Sequence, residues 1–100
     1  MNPSLDPAVV AGNVYKPVLE NARVRVFDVS FAPGAKAAWH EHPDHVVRAL
    51  TDASLQLKLP DGKTMDVAAR AGETMWMEAG PHETVNTGKN EARLLVIELK

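Results

Sequence analysis

Hydrophobic and polar residues alternate with a period of two along much of the chain, which is the pattern of half-buried β-strands. The clearest example is 55–59, where three leucines share one face and a glutamine and a lysine share the other. The next residues, 60–63, contain Asp-Gly, a pair that accepts the positive φ of a tight turn. The pattern therefore predicts a hairpin in which 64–67 pairs antiparallel with 55–59.

Similar short segments recur along the chain and are separated by turn-forming glycines and prolines. In the first of them the alternation predicts Val24 and Val26 on one face, with Asp28 on the same side. No window between the breaks keeps a helical period. The chain is therefore predicted to be all-β, a sandwich or barrel of about eight short strands. The predicted strands are 23–29, 35–42, 46–50, 55–59, 64–67, 74–78, 82–87 and 92–99.

The first residues follow a different pattern. Pro3, Pro7 and Gly12 punctuate residues 1–16 too often for a helix, so we expect an irregular N-terminal arm with a short extended piece at 14–15. Such arms often pack on a partner subunit, and exposed edge strands favour pairing between chains. With 100 residues the chain has room for one domain, and we expect it to form a homodimer.

Composition narrows the partners and the compartment. A formal net charge of -2, with 24% charged residues, provides no cationic field for nucleic acid or for an anionic membrane. No apolar stretch is long enough to cross a bilayer, and the N-terminus lacks a basic start followed by a long apolar core. We therefore expect a cytoplasmic protein whose partner is a small molecule. Without cysteine, the strong metal donors are imidazole, carboxylate and backbone oxygen.

Three of the four histidines fall within residues 40–45. In a β-strand, alternate residues point to the same face, so His40 and His42 can present two imidazoles to one metal ion. Imidazole is the commonest side-chain ligand of transition metals, and dense histidine clusters are typical of metal sites. The spacing therefore predicts a metal site on a strand. A solvated, histidine-rich turn is the alternative.

The spacing of these histidines and of the fourth one resembles the two motifs of the cupin superfamily. The first motif has a glycine, five residues and then His-x-His, and Gly34 stands six residues before His40. The second motif has two glycines, a histidine and an asparagine at fixed intervals. Its residues here are Gly72, Gly80, His82 and Asn86. Together the two motifs cover about half of the chain, and the strand order suits the cupin barrel.

This resemblance implies a single cupin-type double-sheet (jelly-roll) β-barrel over residues 1–100. It also implies one divalent transition metal ion (Fe, Mn, Ni, Zn or Cu) held by His40, His42 and His82. Small cupins commonly dimerise, which agrees with the homodimer expected from the arm and the edge strands. Cupins with three-histidine centres include oxygenases, so the resemblance implies a possible three-histidine dioxygenase, an oxidoreductase.

Three positions depart from the cupin pattern. Val46 stands where the carboxylate ligand is expected, Ala53 replaces the closing glycine of the first motif, and Glu78 replaces the proline of the second. For a further ligand, His45 is a better candidate than Asp44. It is equally well interpreted as an exposed loop histidine or as a hydrogen-bond partner of a ligand.

A centre of three neutral imidazoles leaves the full charge on a divalent ion, which favours an anionic or bidentate oxygen donor as substrate. The open coordination positions suit oxygenase chemistry. A metal-dependent isomerase, hydrolase or lyase is the second hypothesis for the same residues. The third is a non-enzymatic binding module, which gains weight from the missing carboxylate.

Two further predictions concern the cavity wall. If Val46 points inward, then Arg48 points into the same barrel, where a buried guanidinium needs an anion. We therefore hypothesise that Arg48 pairs with a substrate carboxylate or enolate; the alternative is that it turns outward or is neutralised by a nearby acidic side chain. By alternation, either Trp76 or the pair Met75 and Met77 lines the cavity, but not both.

Overall fold

The alternating segments form β-strands that assemble into a jelly roll. The computed structural model describes residues 5–100, and within this range nine strands follow one short helix. The helix is α1 (Pro7–Val10), and the strands are β1 (Tyr15–Glu20), β2 (Val24–Phe31), β3 (Lys36–His42), β4 (His45–Ala49), β5 (Ala53–Lys58), β6 (Thr64–Ala69), β7 (Thr74–Met77), β8 (Gly80–Asn86) and β9 (Ala92–Leu99).

Two antiparallel sheets enclose the core. One sheet has the strand order β1-β2-β9-β4-β7 and the other β3-β8-β5-β6. Side chains from the inner faces of both sheets form one hydrophobic cluster. The expected all-β, double-sheet architecture is confirmed. No helix in residues 5–100 has the length and apolar character needed to cross a lipid bilayer.

The predicted hairpin is the connection between β5 and β6. Leu55 lies opposite Val67 and Leu57 opposite Met65 in the antiparallel register. Gly62 takes a φ of +83° in the turn, a value that glycine adopts without steric cost. Both leucines are buried, as the alternation predicts.

Val24, Val26 and Asp28 share one face of β2, as the alternation predicts, but the more deeply buried face is the opposite one. Phe27, Val29 and Phe31 are fully buried, whereas Val24 and Val26 are only half-buried. The aromatic side chains bury more apolar area than valines would, so they decide which face turns inward. Arg25 is drawn to the interior on the same face, because buried and half-buried carboxylates neutralise it.

The N-terminal segment is more regular than expected. A single helical turn, α1, begins after Asp6, whose side chain accepts a hydrogen bond from the backbone N–H of Ala8 (2.9 Å). β1 then begins at Tyr15, within the extended piece that the sequence predicts, and pairs with β2. One helical turn is too short to produce a detectable period, which explains why the sequence pattern missed it. Residues 1–4 of the predicted arm lie outside the described residues.

Candidate metal centre

Two neighbouring strands bring three histidines together inside the barrel. His40 and His42 lie on β3, and His82 lies on β8, directly opposite His40 in the antiparallel register. The strand register shifts between Ala37 and His40, so that Ala37 and His40 are both buried although they are three residues apart. One ligand nitrogen from each of the three histidines lies within 4.8 Å of the other two. The residues implied by the cupin motifs therefore converge on one point.

The hydrogen bond of His40 fixes which of its nitrogens can bind a metal. Nδ1 lies 2.6 Å from the backbone carbonyl of Ala38, which can only accept, so Nδ1 carries the proton. Nε2 then holds a lone pair. Among the described residues it is the only buried side-chain nitrogen or oxygen without a hydrogen-bond partner. An unpaired buried acceptor is costly, and a metal ion at this point would satisfy it.

His42 is oriented in the same way by a buried carboxylate. Its Nδ1 donates to Oε2 of Glu98 over 2.6 Å, which leaves Nε2 as the acceptor. Nε2 accepts a hydrogen bond of 3.3 Å from the Tyr15 hydroxyl. A histidine whose outer nitrogen donates to a carboxylate is the usual arrangement around protein-bound metals. The geometry of His42 therefore fits a ligand.

The carboxylate of Glu98 is itself held by an arginine. Arg25 donates to Oε1 of Glu98 from Nε (3.1 Å) and from Nη2 (2.9 Å). The remaining arm of the guanidinium, Nη1, donates to Oδ2 of Asp6 over 3.0 Å. A chain of charge-assisted hydrogen bonds thus runs from the cap of α1 to His42. All of its members except Asp6 are buried.

Sequence reasoning missed Glu98, Arg25 and Tyr15 as parts of this site. A signal for Glu98 was present, because it follows Leu94 and Val96 at alternate positions of β9 and is charged on an otherwise apolar face. Arg25 has the same relation to the buried aromatic residues of β2. Charged residues are rarely fully buried unless they are paired. A charge in register with a core face therefore indicates a buried partner or a ligand.

Burial keeps the histidines neutral at physiological pH. It lowers the pKa of His42 to about 2 and the pKa of His82 to about 3, with a further contribution from the neighbouring histidines. Burial also lowers the pKa of His40 and of His45. A neutral imidazole has the lone pair that a metal requires, whereas a protonated one does not. The pKa of Glu98 is raised, because burial outweighs the hydrogen bonds from Arg25.

His45 lies beside the three histidines without joining their group. It is buried, its ring centre lies 4.4 Å from that of His42, and its Nδ1 donates to the carbonyl of Pro43 over 2.8 Å. The group whose ligand atoms approach one another contains His40, His42 and His82 only, among the described residues. The interpretation of His45 as an exposed loop residue is wrong. Its role as an accessory ligand stays untested.

Replacing His45 with glutamine is expected to leave metal affinity within about threefold of wild type, a change of under 1 kcal/mol, because His45 lies outside the group of converging ligand atoms. Its ring belongs to the cavity wall and its fixed nitrogen points to the backbone. Competition titration with a zinc chelator measures the affinity. A loss comparable to that of His82→Ala would make His45 a fourth ligand.

A small, mainly apolar cavity lies beside His82. It provides about 40 Å³ for the centres of water-sized molecules, which is room for a few waters or a small organic group. Met75 and Met77 line it, whereas Trp76 is 51% exposed on the outer face. Its polar lining residues are Tyr15, His45, His82 and Thr84.

The predicted inward position of Arg48 is wrong. On β4, His45, Val47 and Ala49 are buried, whereas Val46 is half-buried and Arg48 is exposed. Arg48 donates a hydrogen bond to the Thr74 hydroxyl (3.2 Å) on the outer face of the sheet. Turning His45 inward fixes the parity of the whole strand, since alternate residues share a face. Arg48 therefore does not reach the cavity, and the valine of β4 that lines it is Val47.

Accordingly, Arg48→Met should change neither metal affinity nor ligand affinity by more than about twofold, the usual effect of a surface substitution. Azide is a suitable anionic probe, because its binding to the cobalt(II)-loaded protein is visible as a change in absorption. A tenfold loss of azide affinity in this variant would show that Arg48 reaches the site after all.

Comparisons with known proteins agree with this architecture. Residues 27–98 match the family Cupin_2, described as a cupin domain. The β-alanine degradation protein BauB of Pseudomonas aeruginosa is 36% identical over 84 residues, which cover 82% of this chain and 87% of that protein. A crystal structure of a cupin domain from Bordetella pertussis superposes with a TM-score of 0.80 at 29% identity, covering 87% of this chain and 92% of that one.

A more distant structure shares the fold. The polyketide cyclase RemF of Streptomyces resistomycificus gives a TM-score of 0.62 at 24% identity, over 85% of this chain and 63% of that one. The family match spans most of the strands. It includes all three converging histidines, two on β3 and one on β8. On the evidence of the sequence match and of the fold, the protein belongs to the cupin family.

Proposed function

We propose that the protein is a metal-dependent enzyme that binds one divalent transition metal ion through His40, His42 and His82 and acts on a small organic molecule. One observation carries the proposal. Three buried histidines present ligand atoms within 4.8 Å of one another, and Nε2 of His40 has no other partner. A protein that did not use this arrangement would bear an unsatisfied buried nitrogen without compensation.

The ligand set determines the kind of substrate that would bind. Three neutral imidazoles cancel none of the charge of a divalent ion, so an anionic oxygen donor is favoured at its open positions. When bound, such an ion supplies Lewis-acid activation or, as iron(II), a site for dioxygen. The chain itself supplies the Tyr15 hydroxyl, which lies 3.3 Å from Nε2 of His42. It is placed to donate a hydrogen bond to an oxygen atom of the substrate.

The cavity wall limits the rest of the substrate. No lysine, arginine, aspartate or glutamate is among the described residues that line the cavity. An ammonium group or a second carboxylate would therefore lose its hydration without gaining a charged partner. We infer a substrate with one oxygen-donor end and a compact apolar body. BauB is named for β-alanine degradation, which supports a role in the breakdown of small metabolites, although the cavity favours a substrate without a free amino group.

Oxygenase chemistry is the first class that we propose. Its test begins with elemental analysis of untagged protein, in which about one equivalent of metal per chain is expected. Oxygen uptake is then measured with β-dicarbonyl, thiol and phenolic compounds. A metal content near zero after reconstitution with Fe, Mn, Ni, Zn and Cu would overturn the proposal of a metal-dependent enzyme.

Non-oxidative chemistry is the second candidate, and His45 is the observation that favours it. With Nδ1 donating to Pro43, the basic nitrogen of His45 is Nε2, on a ring that lines the cavity. A neutral imidazole in this position could take a proton from a substrate in the cavity, as isomerases and lyases require. Turnover under strict anaerobiosis would favour this candidate over an oxygenase.

We also propose that the protein is a homodimer. After Tyr15, every residue of the edge strand β1 is exposed, including Val18 (59%) and Leu19 (51%). Exposed apolar residues on an edge strand favour pairing with a second chain. Light scattering coupled to gel filtration measures the mass, and a monomer at micromolar concentration would contradict the proposal.

A further inference from the structure

We propose that Glu98 is a positioning residue that fixes the tautomer of His42, and that Arg25 makes this control possible by occupying the other carboxylate oxygen. The inference rests on the proposed function, since it explains how one of the three metal ligands is prepared. It concerns residues outside the cupin motifs, on β2 and β9, which no ligand pattern identifies.

The two carboxylate oxygens of Glu98 form hydrogen bonds with different residues. Oε1 accepts both Nε–H and Nη2–H of Arg25, and Oε2 accepts Nδ1–H of His42 over 2.6 Å. Glu98 is 2% exposed and His42 is 1% exposed, so water cannot replace either partner. The Arg25 guanidinium, 2.9 Å from Oε1, favours the ionised form of Glu98, so the proton between Oε2 and Nδ1 belongs to His42. Nε2 therefore keeps its lone pair toward the other two imidazoles.

Glutamine at position 98 would reverse this arrangement. Arg25 has donors only, so the amide oxygen of Glu98→Gln must face Arg25 and the amide NH2 must face His42. The NH2 group then donates to Nδ1, which must accept. The proton of His42 moves to Nε2, the nitrogen that would bind the metal. A nearly isosteric change should therefore block one ligand while leaving its position unchanged.

Replacing Arg25 in the Glu98→Gln variant should return the proton of His42 to Nδ1. In the double variant Arg25→Met/Glu98→Gln, no donor fixes the amide oxygen, so the amide can rotate and accept Nδ1–H of His42. Met retains an unbranched apolar stem where Arg25 packs on the ring of Phe27. The Asp6 carboxylate that loses its partner is partly exposed and can be solvated. Restoration of metal binding by a second, more disruptive substitution is not expected from a purely structural role.

Zinc affinity of the four proteins measures this prediction. Glu98→Gln should weaken zinc binding about 10- to 100-fold, the usual effect of losing a hydrogen-bond partner of a ligand. Arg25→Met alone should also weaken zinc binding, because the buried Glu98 loses both donors to Oε1, yet the double variant should bind zinc more tightly than Glu98→Gln. The matched control is Glu83→Gln, next to His82, whose carboxylate pairs with Lys36 on the surface. Losses that simply add in the double variant would overturn the inference.

A direct spectroscopic measurement does not depend on metal or on the variants. In metal-free wild-type protein, nitrogen-15 correlation spectra should show His42 protonated at Nδ1, and in Glu98→Gln they should show it protonated at Nε2. A wild-type ring protonated at Nε2 would refute the inference even if Glu98→Gln does not fold. If the wild type binds no zinc, the proposed function fails, whereas the tautomer still decides this inference.

Discussion

Replacing His82 with alanine should abolish stoichiometric metal binding while leaving the barrel folded. His82 faces His40 across the β3–β8 ladder and provides the ligand from the second cupin motif. Structural zinc sites with four ligands contribute about 10–16 kcal/mol, so one ligand accounts for about 2.5–4 kcal/mol, or about a 100- to 1000-fold loss of affinity. Elemental analysis after gel filtration, followed by chelator competition, measures both quantities.

The folded state of the variant needs a separate check. His82 is buried, but its ring fills space next to an existing cavity, so alanine enlarges that cavity instead of creating strain. Arg48→Met, on the outer face of β4, is the control for any general effect of substitution. Metal retained at one equivalent in His82→Ala would place the metal elsewhere in the protein.

Acidification should destabilise the metal-free protein from about pH 6.5 downward, starting above the pH range in which most carboxylates titrate. An unfolded histidine has a pKa near 6.5, whereas the pKa is about 2 for His42 and about 3 for His82 in the fold. Between these values the unfolded chain binds protons that the folded chain excludes. The free energy of unfolding therefore falls as the pH falls below about 6.5, by about 1.4 kcal/mol per pH unit for each such histidine.

Other groups modify this slope in a known direction. His40 and His45, whose pKa values are also lowered, add to the loss of stability. Glu98 opposes it, because its raised pKa means that the folded state takes up a proton before the unfolded state does. For a domain of about 5–15 kcal/mol, these terms predict unfolding between about pH 6 and pH 4.

Urea unfolding at pH 7.5, 6.5, 5.5 and 4.5 measures the slope. The matched variant is His82→Ala, which lacks one of the histidines and should lose stability more slowly, by about 1.4 kcal/mol less per pH unit. Saturating zinc should raise the free energy of unfolding at pH 7.5, because zinc binds the folded state. This stabilisation should disappear at lower pH, where protons compete with zinc for the histidines. A free energy of unfolding that stays flat from pH 7.5 to 5.5 would contradict the prediction.

The parts of the fold that the sequence predicts well depend on local rules. The β5–β6 hairpin follows from leucines at alternate positions and an Asp-Gly turn, and both act over a few neighbouring residues. The convergence of His40, His42 and His82 was implied by resemblance to cupin motifs. Spacing along one strand could place only the first two on a common face.

The errors share a different cause, which is competition between the two faces of a strand. For β4, the predicted inward residues were Val46 and Arg48, and the buried residues are His45 and Val47. A shift of one residue along a strand moves every side chain to the opposite face of the sheet. The local pattern cannot choose between the two faces when both carry apolar residues. On β4 the packing of His45 beside His42 accompanies the observed parity.

The sequence by itself determines that this chain is a small all-β protein with histidines at cupin spacing, because period-two patterns, turns and motif intervals are properties of the chain. Only the tertiary structure decides which nitrogens are free to bind a metal. The proton on Nδ1 of His42 is fixed by Glu98, 56 residues away, and Glu98 is fixed by Arg25, 73 residues away. Hydrogen bonds between distant strands exist only after the sheets have assembled, so no local pattern contains them.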